Sequence, residues 1–450
     1  MVFRLLLAEG VSQAAVIKDA AAAPGEFLPS VNRGESLAVG ALVGIILGAV
    51  FAAVIAFVVV WYIQRRLRSD SPDDENFLEN LAGLPPRFPY KDLQHATNSF
   101  GKNLGGGGFA TVYEGTLSNG VKIAVKKLNR QIGSQDFRAE VATVGGIHHV
   151  NLIRLLGFCA QGAHRLLVYE FMPNGSLDKW IFPEGSADGN HQNNQVLPTN
   201  FLDWHQRFNI AVGTARGLAY LHDECAKRII HFDIKPQNIL LDEHLVPKVA
   251  DFGLSKSAER DVESEVMVTT VRGTPGYVAP EWLLGVAITE KGDVYSYGLV
   301  LFEIIGGRKN LDPSDKAGNV SYFPATCLKE VIEKGFAGTT LRVIVDPRLN
   351  YFDEQQAARM LKVAFWCIQE SPEARPNMRE IVLMLEGKLE ILEPPSISFH
   401  GLHQRIQTLE REKLQRMAFG DSTITVVNPS AVENPSSSFI DGNTLKVGPR

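Results

Sequence analysis

The sequence predicts an α+β fold: a large two-lobed domain, β-rich in its first part and α-helical in the rest, preceded by a single transmembrane helix. Three observations support this prediction. Residues 37–63 contain no charged side chain. Two β-branched runs within 112–128 are joined by Asn119-Gly120, a pair that favours a tight hairpin. Apolar residues recur at helical spacing from Phe208 to His222, as in a buried helix.

The charge-free run is long enough to span a bilayer. At about 1.5 Å per residue, a helix over 37–63 exceeds the roughly 30 Å hydrocarbon core. Arg65, Arg66 and Arg68 follow it at once, whereas only Arg33 lies close on its other side. Because cytoplasmic flanks carry the excess of basic residues, the C-terminal part is expected in the cytosol. The segment 1–36 would then be a short extracellular segment, with the span itself as signal anchor.

Small residues mark one face of the predicted span. Gly40, Gly44 and Gly48 lie four residues apart, a spacing that lets two membrane helices approach closely. This pattern indicates a homodimer or heterodimer through the Gly40/Gly44/Gly48 face. Glycine is also common in membrane helices that make no such contact, so both interpretations stay open.

Composition limits the remaining functions. The chain has 450 residues and a net charge of −5, without the concentrated basic footprint that nucleic-acid binding needs. We therefore expect no nucleic-acid partner. Its four cysteines match neither a zinc site nor a disulfide framework, and reduced thiols in a cytosolic domain are expected.

The organisation predicted after the span has three parts. Residues 64–87 form a Pro- and Asp-containing juxtamembrane linker, and residues 88–387 form the globular domain. Residues 388–450 form a C-terminal tail, in which 402–417 is amphipathic and the Ser-, Pro- and Asn-rich remainder is expected to be disordered. A Gly-, Asn- and Asp-rich stretch, 183–200, is predicted to be an exposed loop.

The first chemical motif suits a nucleotide. Phosphoryl transfer needs backbone amides around the phosphates, a lysine beside them, oxygen ligands for Mg²⁺ and an acceptor for the hydroxyl proton. The run LGGGGFATV (104–112) has glycines that allow a hairpin to approach phosphates closely. Lys126 follows in a β-rich run, and Glu140 in an apparent helix over 135–144 is placed to hold it by an ion pair.

The second group of motifs is more specific. HFDIKPQN (231–238) is followed by DFG (251–253) and by APE (279–281). Each short motif occurs often by chance, but their order and spacing after the glycine run and Lys126 reproduce the protein-kinase signature set. The two-lobed domain is therefore expected to have the bilobal protein-kinase fold.

The domain resembles the plant receptor-like kinases of the interleukin-receptor-associated-kinase-related group, particularly the lectin S-receptor-like Ser/Thr kinases. The resemblance covers roughly residues 88–387. It rests on FPYKDLQHAT (88–97), GAHRLLVYEF (162–171), GSL (175–177), GTPGY (273–277), DVYSYG (293–298) and WCIQ (366–369). It implies a plasma-membrane kinase that uses ATP and Mg²⁺ to phosphorylate protein substrates on Ser or Thr. The lectin ectodomain usual in those receptors is not found here.

The resemblance also implies a role for each matching residue. Asp233 would accept the substrate hydroxyl proton, and Lys235 would balance charge on the transferred phosphate. Asn238 and Asp251 would hold Mg²⁺. The residues that would contact ATP are Leu104, Gly105, Gly107, Val112, Ala124, Lys126 with its partner Glu140, Glu170 and Met172.

Further positions follow from the same resemblance. Tyr169 would lie at the back of the ATP pocket, and Thr274 together with Lys235 resembles Ser/Thr rather than Tyr kinases. A hydrophobic spine that aligns the two lobes would contain Val144, His231 and Phe252.

Two positions depart from the family pattern. Ala110 replaces the third glycine of the loop and should be tolerated if its φ stays negative. Phe232 replaces the arginine that usually precedes the catalytic aspartate and pairs with a phosphorylated residue of the activation segment. The phenylalanine therefore indicates a non-RD kinase without that common on-switch, although plain packing also explains a phenylalanine.

Three functions are compatible with these observations. The first is an active membrane-anchored Ser/Thr kinase, which the presence of the lysine, both metal ligands and the catalytic aspartate favours. The second is a pseudokinase scaffold that works through contacts. The third is a co-receptor that borrows its ligand sensor, or a chain truncated relative to a larger receptor.

Overall fold

The chain divides into two units, Met1–Ser69 and Asp70–Arg450, in the computed structural model. The structure describes residues 33–67, 83–107, 110–129, 133–182, 201–258, 270–271, 273–283, 289–312, 321–395 and 426–427.

The first unit contains helix α1, Arg33–Leu67, which includes the predicted span. Its stretch Gly44–Tyr62 has a mean hydropathy of 2.7 over 19 residues, and none of it is buried. A core helix of a soluble protein is mostly buried, whereas a membrane helix turns its apolar side chains outward to lipid. By length and composition, α1 is therefore able to cross a membrane.

The second unit begins with a five-stranded antiparallel sheet in the order β1-β2-β3-β5-β4. Its strands are β1 Asn103–Gly106, β2 Ala110–Thr116, β3 Lys122–Leu128, β4 Leu155–Gln161 and β5 His164–Glu170. The predicted hairpin between β2 and β3 is confirmed: Gly120 has a φ of 83° and the Asn119 side chain accepts from the Val121 N–H. Only glycine adopts such a φ without steric cost.

Two helices accompany the sheet. Helix α2, Tyr90–Ala96, precedes it, and helix α3, Gly133–Val144, lies between β3 and β4 in the chain. The sequence predicted α3 over 135–144, so its existence is confirmed and its start lies two residues earlier. Helix α3 packs on the sheet through Phe137, whose ring meets that of Phe158 edge-on at 6.0 Å.

The remaining helices form the second lobe. They are α4 Asp178–Ile181, α5 Trp204–Ala219, α6 Pro280–Leu283, α7 Lys291–Gly306, α8 Phe323–Lys334, α9 Thr339–Ile344, α10 Glu354–Cys367 and α11 Met378–Leu385. Helix α5 confirms the predicted helical spacing. It begins with a capping box: the Asp203 side chain accepts from the backbone N–H of Gln206, and the Gln206 side chain accepts from the backbone N–H of Asp203. Helix α7 is buried along its length from Gly292 to Gly306 and forms the centre of this lobe.

The described residues also contain eight short strands outside the five-stranded sheet. They are β6 Arg228–Ile230, β7 Ile239–Leu241, β8 Pro247–Val249, β9 Lys256–Ala258, β10 Thr270–Val271, β11 Leu311–Asp312, β12 Ser321–Tyr322 and β13 Val426–Val427. Each forms a two-stranded antiparallel pair, β6 with β9, β7 with β8, β10 with β13 and β11 with β12. The β6–β9 and β7–β8 pairs fix the loops that carry Asp233 and Asp251.

The bilobal α+β architecture that the sequence predicted is therefore confirmed. Some predictions lie outside the described residues: the loop 183–200, the amphipathic stretch 402–417, residues 1–32 of the predicted extracellular segment 1–36, and most of the linker and tail. The predicted domain boundaries stay predictions.

Candidate active site

A lysine with two acidic partners forms the first part of the site. Lys126 lies in the middle of β3, and its Nζ is 2.8 Å from Glu140 Oε2 and 2.6 Å from Asp251 Oδ1. Glu140 is fully buried on α3, whereas the Asp251 side chain is 47% exposed. The ammonium thus joins the sheet, helix α3 and the DFG segment at one point.

These contacts keep the charges in place. Burial lowers the pKa of Lys126, but attraction to Asp251 and Glu140 outweighs it and holds that pKa above its ordinary value. The neighbouring Lys126 lowers the pKa of Asp251 to about 2. Asp251 is therefore ionised at physiological pH, as a metal ligand must be.

Tyr169 supplies a contact to Glu140 that sequence reasoning missed. The sequence placed Tyr169 only at the back of the pocket, but its hydroxyl donates to Glu140 Oε1. Burial and the nearby Glu140 carboxylate raise the pKa of this phenol well above its ordinary range, so it remains a donor. The signal lay in the strand register: Tyr169 pairs with Ala124, which shares a sheet face with Lys126.

The second part of the site surrounds Asp233, which is 8% exposed. Its Oδ2 accepts from Lys235 Nζ at 2.7 Å and from Asn238 Nδ2 at 2.9 Å, and its Oδ1 accepts from Thr274 Oγ1 at 2.6 Å. Lys235 also donates to Thr274 at 2.7 Å. The structure thus brings together the four residues that the sequence assigned to the catalytic loop and the activation segment.

A buried carboxylate holds the backbone of this loop. Asp293 on α7 accepts from the N–H of His231 at 2.7 Å and from that of Phe232 at 2.9 Å, and lies 3.0 Å from His222 Nε2. Phe232 has a φ of 70°, a left-handed conformation that costs a non-glycine residue about 1–3 kcal/mol. The two hydrogen bonds offset that cost and so present Asp233. Sequence reasoning noted Asp293 in a family motif and His222 in a helical pattern, but assigned neither of them a function.

The Phe232 side chain has a packing role. It is 6% exposed, and its ring lies 5.0 Å from that of Trp282. An arginine at this position would offer donors to a phosphate, whereas the phenylalanine is part of the hydrophobic core. Of the predicted spine, His231 and Phe252 meet edge-on at 4.8 Å, and Val144 is buried.

The predicted ATP-contacting residues lie on three strands and at the end of β5. Leu104, Gly105 and Gly107 lie in or next to β1, with Val112 on β2 opposite Lys126 of β3 and Ala124 two residues before that lysine. Glu170 ends β5, and Met172 follows it. Ala110, which replaces the third glycine, is the first residue of β2 and is buried. Residues 108 and 109 lie outside the described part of the chain.

The donor set fits a magnesium ion bound together with phosphates. The Nδ2 of Asn238 is engaged by Asp233, which leaves the carbonyl oxygen Oδ1 for a cation. Asp251 uses Oδ1 for Lys126 and retains Oδ2. Among the described residues no three His, Cys, Asp or Glu side chains form a metal-binding group. Mg²⁺ commonly binds through one or two carboxylates plus substrate phosphates, which is what these two side chains allow.

Comparison with known proteins agrees with this geometry. Residues 99–384 match the family model of the protein kinase domain. A G-type lectin S-receptor-like serine/threonine-protein kinase of Arabidopsis thaliana is 52% identical over 335 residues, covering 74% of this chain and 38% of that protein.

Two further relatives are kinases that are not named as lectin receptors. A probable receptor-like protein kinase of Arabidopsis thaliana is 42% identical over 331 residues, covering 71% of this chain and 70% of that protein. A rust resistance kinase of Triticum aestivum is 42% identical over 330 residues, covering 72% of this chain and 49% of that protein. The chain spans little more than a third of the lectin S-receptor-like relatives that it matches, and the match covers the kinase region.

Proposed function

The chain belongs to the protein kinase family, and on that premise we propose that it is a receptor-type Ser/Thr kinase that transfers the γ-phosphate of ATP to protein hydroxyl groups. The observation that carries the proposal is the pairing of Lys126 with both Glu140 and Asp251. In protein kinases the lysine–glutamate ion pair positions the lysine for the ATP phosphates, and the neighbouring aspartate binds Mg²⁺, so these three side chains lie where both contacts would form. A scaffold that had lost catalysis would have no need to keep this pairing.

The residues around Asp233 would handle the substrate hydroxyl. Asp233 would accept its proton, since both carboxylate oxygens are oriented by donors from Lys235, Asn238 and Thr274. Lys235 would also stabilise negative charge on the phosphate as it moves between oxygens.

The nucleotide would be held above these groups. ATP supplies the phosphoryl group, and Mg²⁺ neutralises charge on its phosphates when bound. Lys126 would hold the phosphates, and Asn238 and Asp251 would hold the metal. The glycines beside β1 would approach the phosphates with backbone N–H groups.

Phe232 supports a non-RD mode of regulation. With an aromatic ring packed on Trp282 in place of a guanidinium, the catalytic loop has no arginine at this position to bind a phosphorylated residue. In this proposal the loop is held instead by Asp293 and by core packing, independently of phosphorylation.

The membrane part of the proposal is a single plasma-membrane span with the kinase domain in the cytosol and dimerisation through the Gly40/Gly44/Gly48 face. An added Cβ at Gly44 or Gly48 meets no atom within 4 Å, so this face of α1 is open to a partner helix. Gly44→Ile should weaken self-association in a membrane two-hybrid assay and leave kinase activity unchanged. If the wild-type span and the Gly44→Ile span gave equal dimer signals, the proposed pairing of helices would lose its support.

The kinase proposal is tested with the full chain purified in detergent micelles. Phosphate incorporation from ATP into a Ser/Thr peptide should be measurable with Mg²⁺ present and should be lost in Asp233→Asn. If the wild type incorporates nothing, or if Asp233→Asn incorporates as much, the scaffold alternative replaces the proposal.

A further inference from the structure

The segment just before α2 lies against the sheet and against the helix that carries Glu140. We propose that residues 84–88, which we name the strap, form a positioning element that holds Glu140 on Lys126. This inference rests on the proposed kinase function, because its effect is expressed through the Lys126–Glu140 pair. The contacts described below join the strap to strand β4 and to the end of α3.

The strap is joined to the outer edge of the sheet by its backbone. The Phe88 N–H donates to Phe158 O at 2.8 Å, and the Phe158 N–H donates to Pro86 O at 3.2 Å. Arg87 bridges Phe158 in parallel orientation, and its guanidinium donates to Ala160 O. Because β4 is an edge strand, the strap satisfies backbone groups that would otherwise be unpaired.

Two glycines make room for the strap. A Cβ at Gly157, on β4, would overlap the Phe88 ring and would lie 2.5 Å from Pro86 O. A Cβ at Gly145, which directly follows α3, would lie 2.5 Å from Val141 O of that helix, and also 3.2 Å from Leu84 Cδ2 and 3.3 Å from Pro85 Cδ of the strap. The strap therefore fits tightly at two places at once, one on the sheet and one at the end of α3.

Both contacts of the strap restrain α3, the helix that carries Glu140. The Gly145 contact lies little more than one turn of chain beyond Glu140. At the other contact, Phe158 binds the strap through its backbone and packs its ring against Phe137 of α3. The strap thus restrains α3 directly at its end and indirectly through Phe137.

The other side of α3 is held by the segment that carries Asp251. The hydroxyl of Thr143 lies 3.2 Å from that of Ser255, which in turn donates to Phe252 O at 2.6 Å. Helix α3 is thus confined between the strap and the DFG segment. Interiors are close-packed, so removing one wall lets the helix shift, and a shift of about 1 Å moves Glu140 off Lys126.

The experiment uses the full chain in detergent micelles. Phe88→Ala removes the ring, whereas Gly157→Ala displaces the strap without changing any of its residues. Each should lower kcat/KM for ATP by about 10- to 100-fold, the usual cost of misplacing a catalytic contact. Phe88→Leu, which keeps an apolar side chain, should recover most of the activity.

Two matched controls lie nearby. Gly146→Ala, next to Gly145, adds a methyl group that meets no other atom within 4 Å. Val121→Ala shortens a side chain that is 45% exposed. Both should stay within about 2-fold of wild type, as surface changes do. Thermal unfolding of every variant keeps the comparison at a temperature where all are folded.

A double-mutant cycle separates positioning from general destabilisation. The dissociation constant of a fluorescent ATP analogue is measured for Phe88→Ala, for Glu140→Gln and for the double variant. If the strap acts through Glu140, Phe88→Ala weakens binding in the wild type but adds nothing in the Glu140→Gln chain.

The proposal is overturned if the losses of binding affinity caused by Phe88→Ala and Glu140→Gln multiply in the double variant. It is also overturned if the wild type is active and Phe88→Ala and Gly157→Ala have the same kcat/KM as Gly146→Ala. An inactive wild type would instead overturn the kinase function itself. The two failures are therefore distinguishable.

Discussion

Ion pairs in the ATP cleft and in the helical lobe differ in how completely their polar atoms are bonded within the protein. In the helical lobe, Arg375 makes two bonds to Glu281, at 2.7 and 2.8 Å, and donates its other N–H groups to the carbonyls of Gln369, Lys291 and Glu370. Arg375 is 1% exposed. In the cleft, Asp251 is 47% exposed and binds Lys126 through one oxygen only.

The difference separates structural from functional charges. An arginine whose donors are satisfied by protein atoms has no capacity left for a ligand, and removing it leaves an unpaired buried charge. The buried pair of Arg207 with Asp346, at 2.6 Å, belongs to the same structural class. A carboxylate with an unused oxygen facing a cleft can bind a cation.

The largest effect is expected in the cleft. Lys126→Met or Asp251→Asn should lower phosphoryl transfer by several powers of ten, because each removes charge stabilisation from the phosphates. Thermal unfolding should show that both variants fold. Lys122→Met is the matched control: it lies on the same strand with its side chain 63% exposed, and its turnover should be unchanged. A folded Lys126→Met variant with wild-type turnover would show that the site is assigned wrongly.

The helical-lobe charges should affect stability. Arg375→Ala should lower the free energy of unfolding by about 3–5 kcal/mol, since Glu281 is left buried without its partner. Denaturant unfolding measures this, with Arg379→Ala as control, because Arg379 is exposed on α11 and should change stability by less than about 0.5 kcal/mol. If both variants lost the same free energy of unfolding, the distinction between fully bonded buried charges and surface charges would be contradicted.

Glu303 on α7 is a buried carboxyl without an arginine partner. It accepts from the Tyr277 hydroxyl at 2.9 Å and from the Asn310 N–H and side-chain amide, at 2.9 and 3.0 Å. Burial raises its pKa to about 8. The folded state therefore retains a proton that the unfolded chain loses near its ordinary pKa of 4.5.

A raised pKa means that stability is present at low pH and is lost as pH rises. The wild type should lose unfolding free energy relative to Glu303→Gln between about pH 4.5 and about pH 8, by an amount on the order of a few kcal/mol. Because other groups titrate equally in both proteins, the difference between the two unfolding curves isolates Glu303. A difference that does not change with pH would mean that the carboxyl is ionised when folded.

The smallest effect is expected in the activation segment. Thr269→Ala combined with Thr270→Ala should lower activity only a few-fold, because Phe232 offers no donor for a phosphate there. Thr274→Ala should cost far more, since Thr274 contacts both Asp233 and Lys235. Both variants are compared after phosphatase treatment on one peptide. Near-total loss in the double variant, restored in the wild type by phosphorylation, would mean that another cation replaces the missing arginine.

The sequence by itself determined the local elements and the identities of the reacting residues. The Asn119-Gly120 hairpin, helix α5 and the order of the kinase motifs were all readable because turn chemistry, periodicity and residue type depend on near neighbours. The kinase motifs and the family resemblance predicted Lys126, Glu140, Asp233 and Asp251 as site residues.

Only the tertiary structure decided which distant groups hold these residues. Asp251 joins Lys126 across 125 residues of chain, Asp293 reaches the Phe232 N–H across 61, and Arg87 of the strap reaches Ala160 across 73. A buried polar group must find a partner, but the partner is set by the packing of separate segments and leaves no local signature. For this reason the chemistry was predictable from sequence, whereas Asp293 and the strap, which support it, were not.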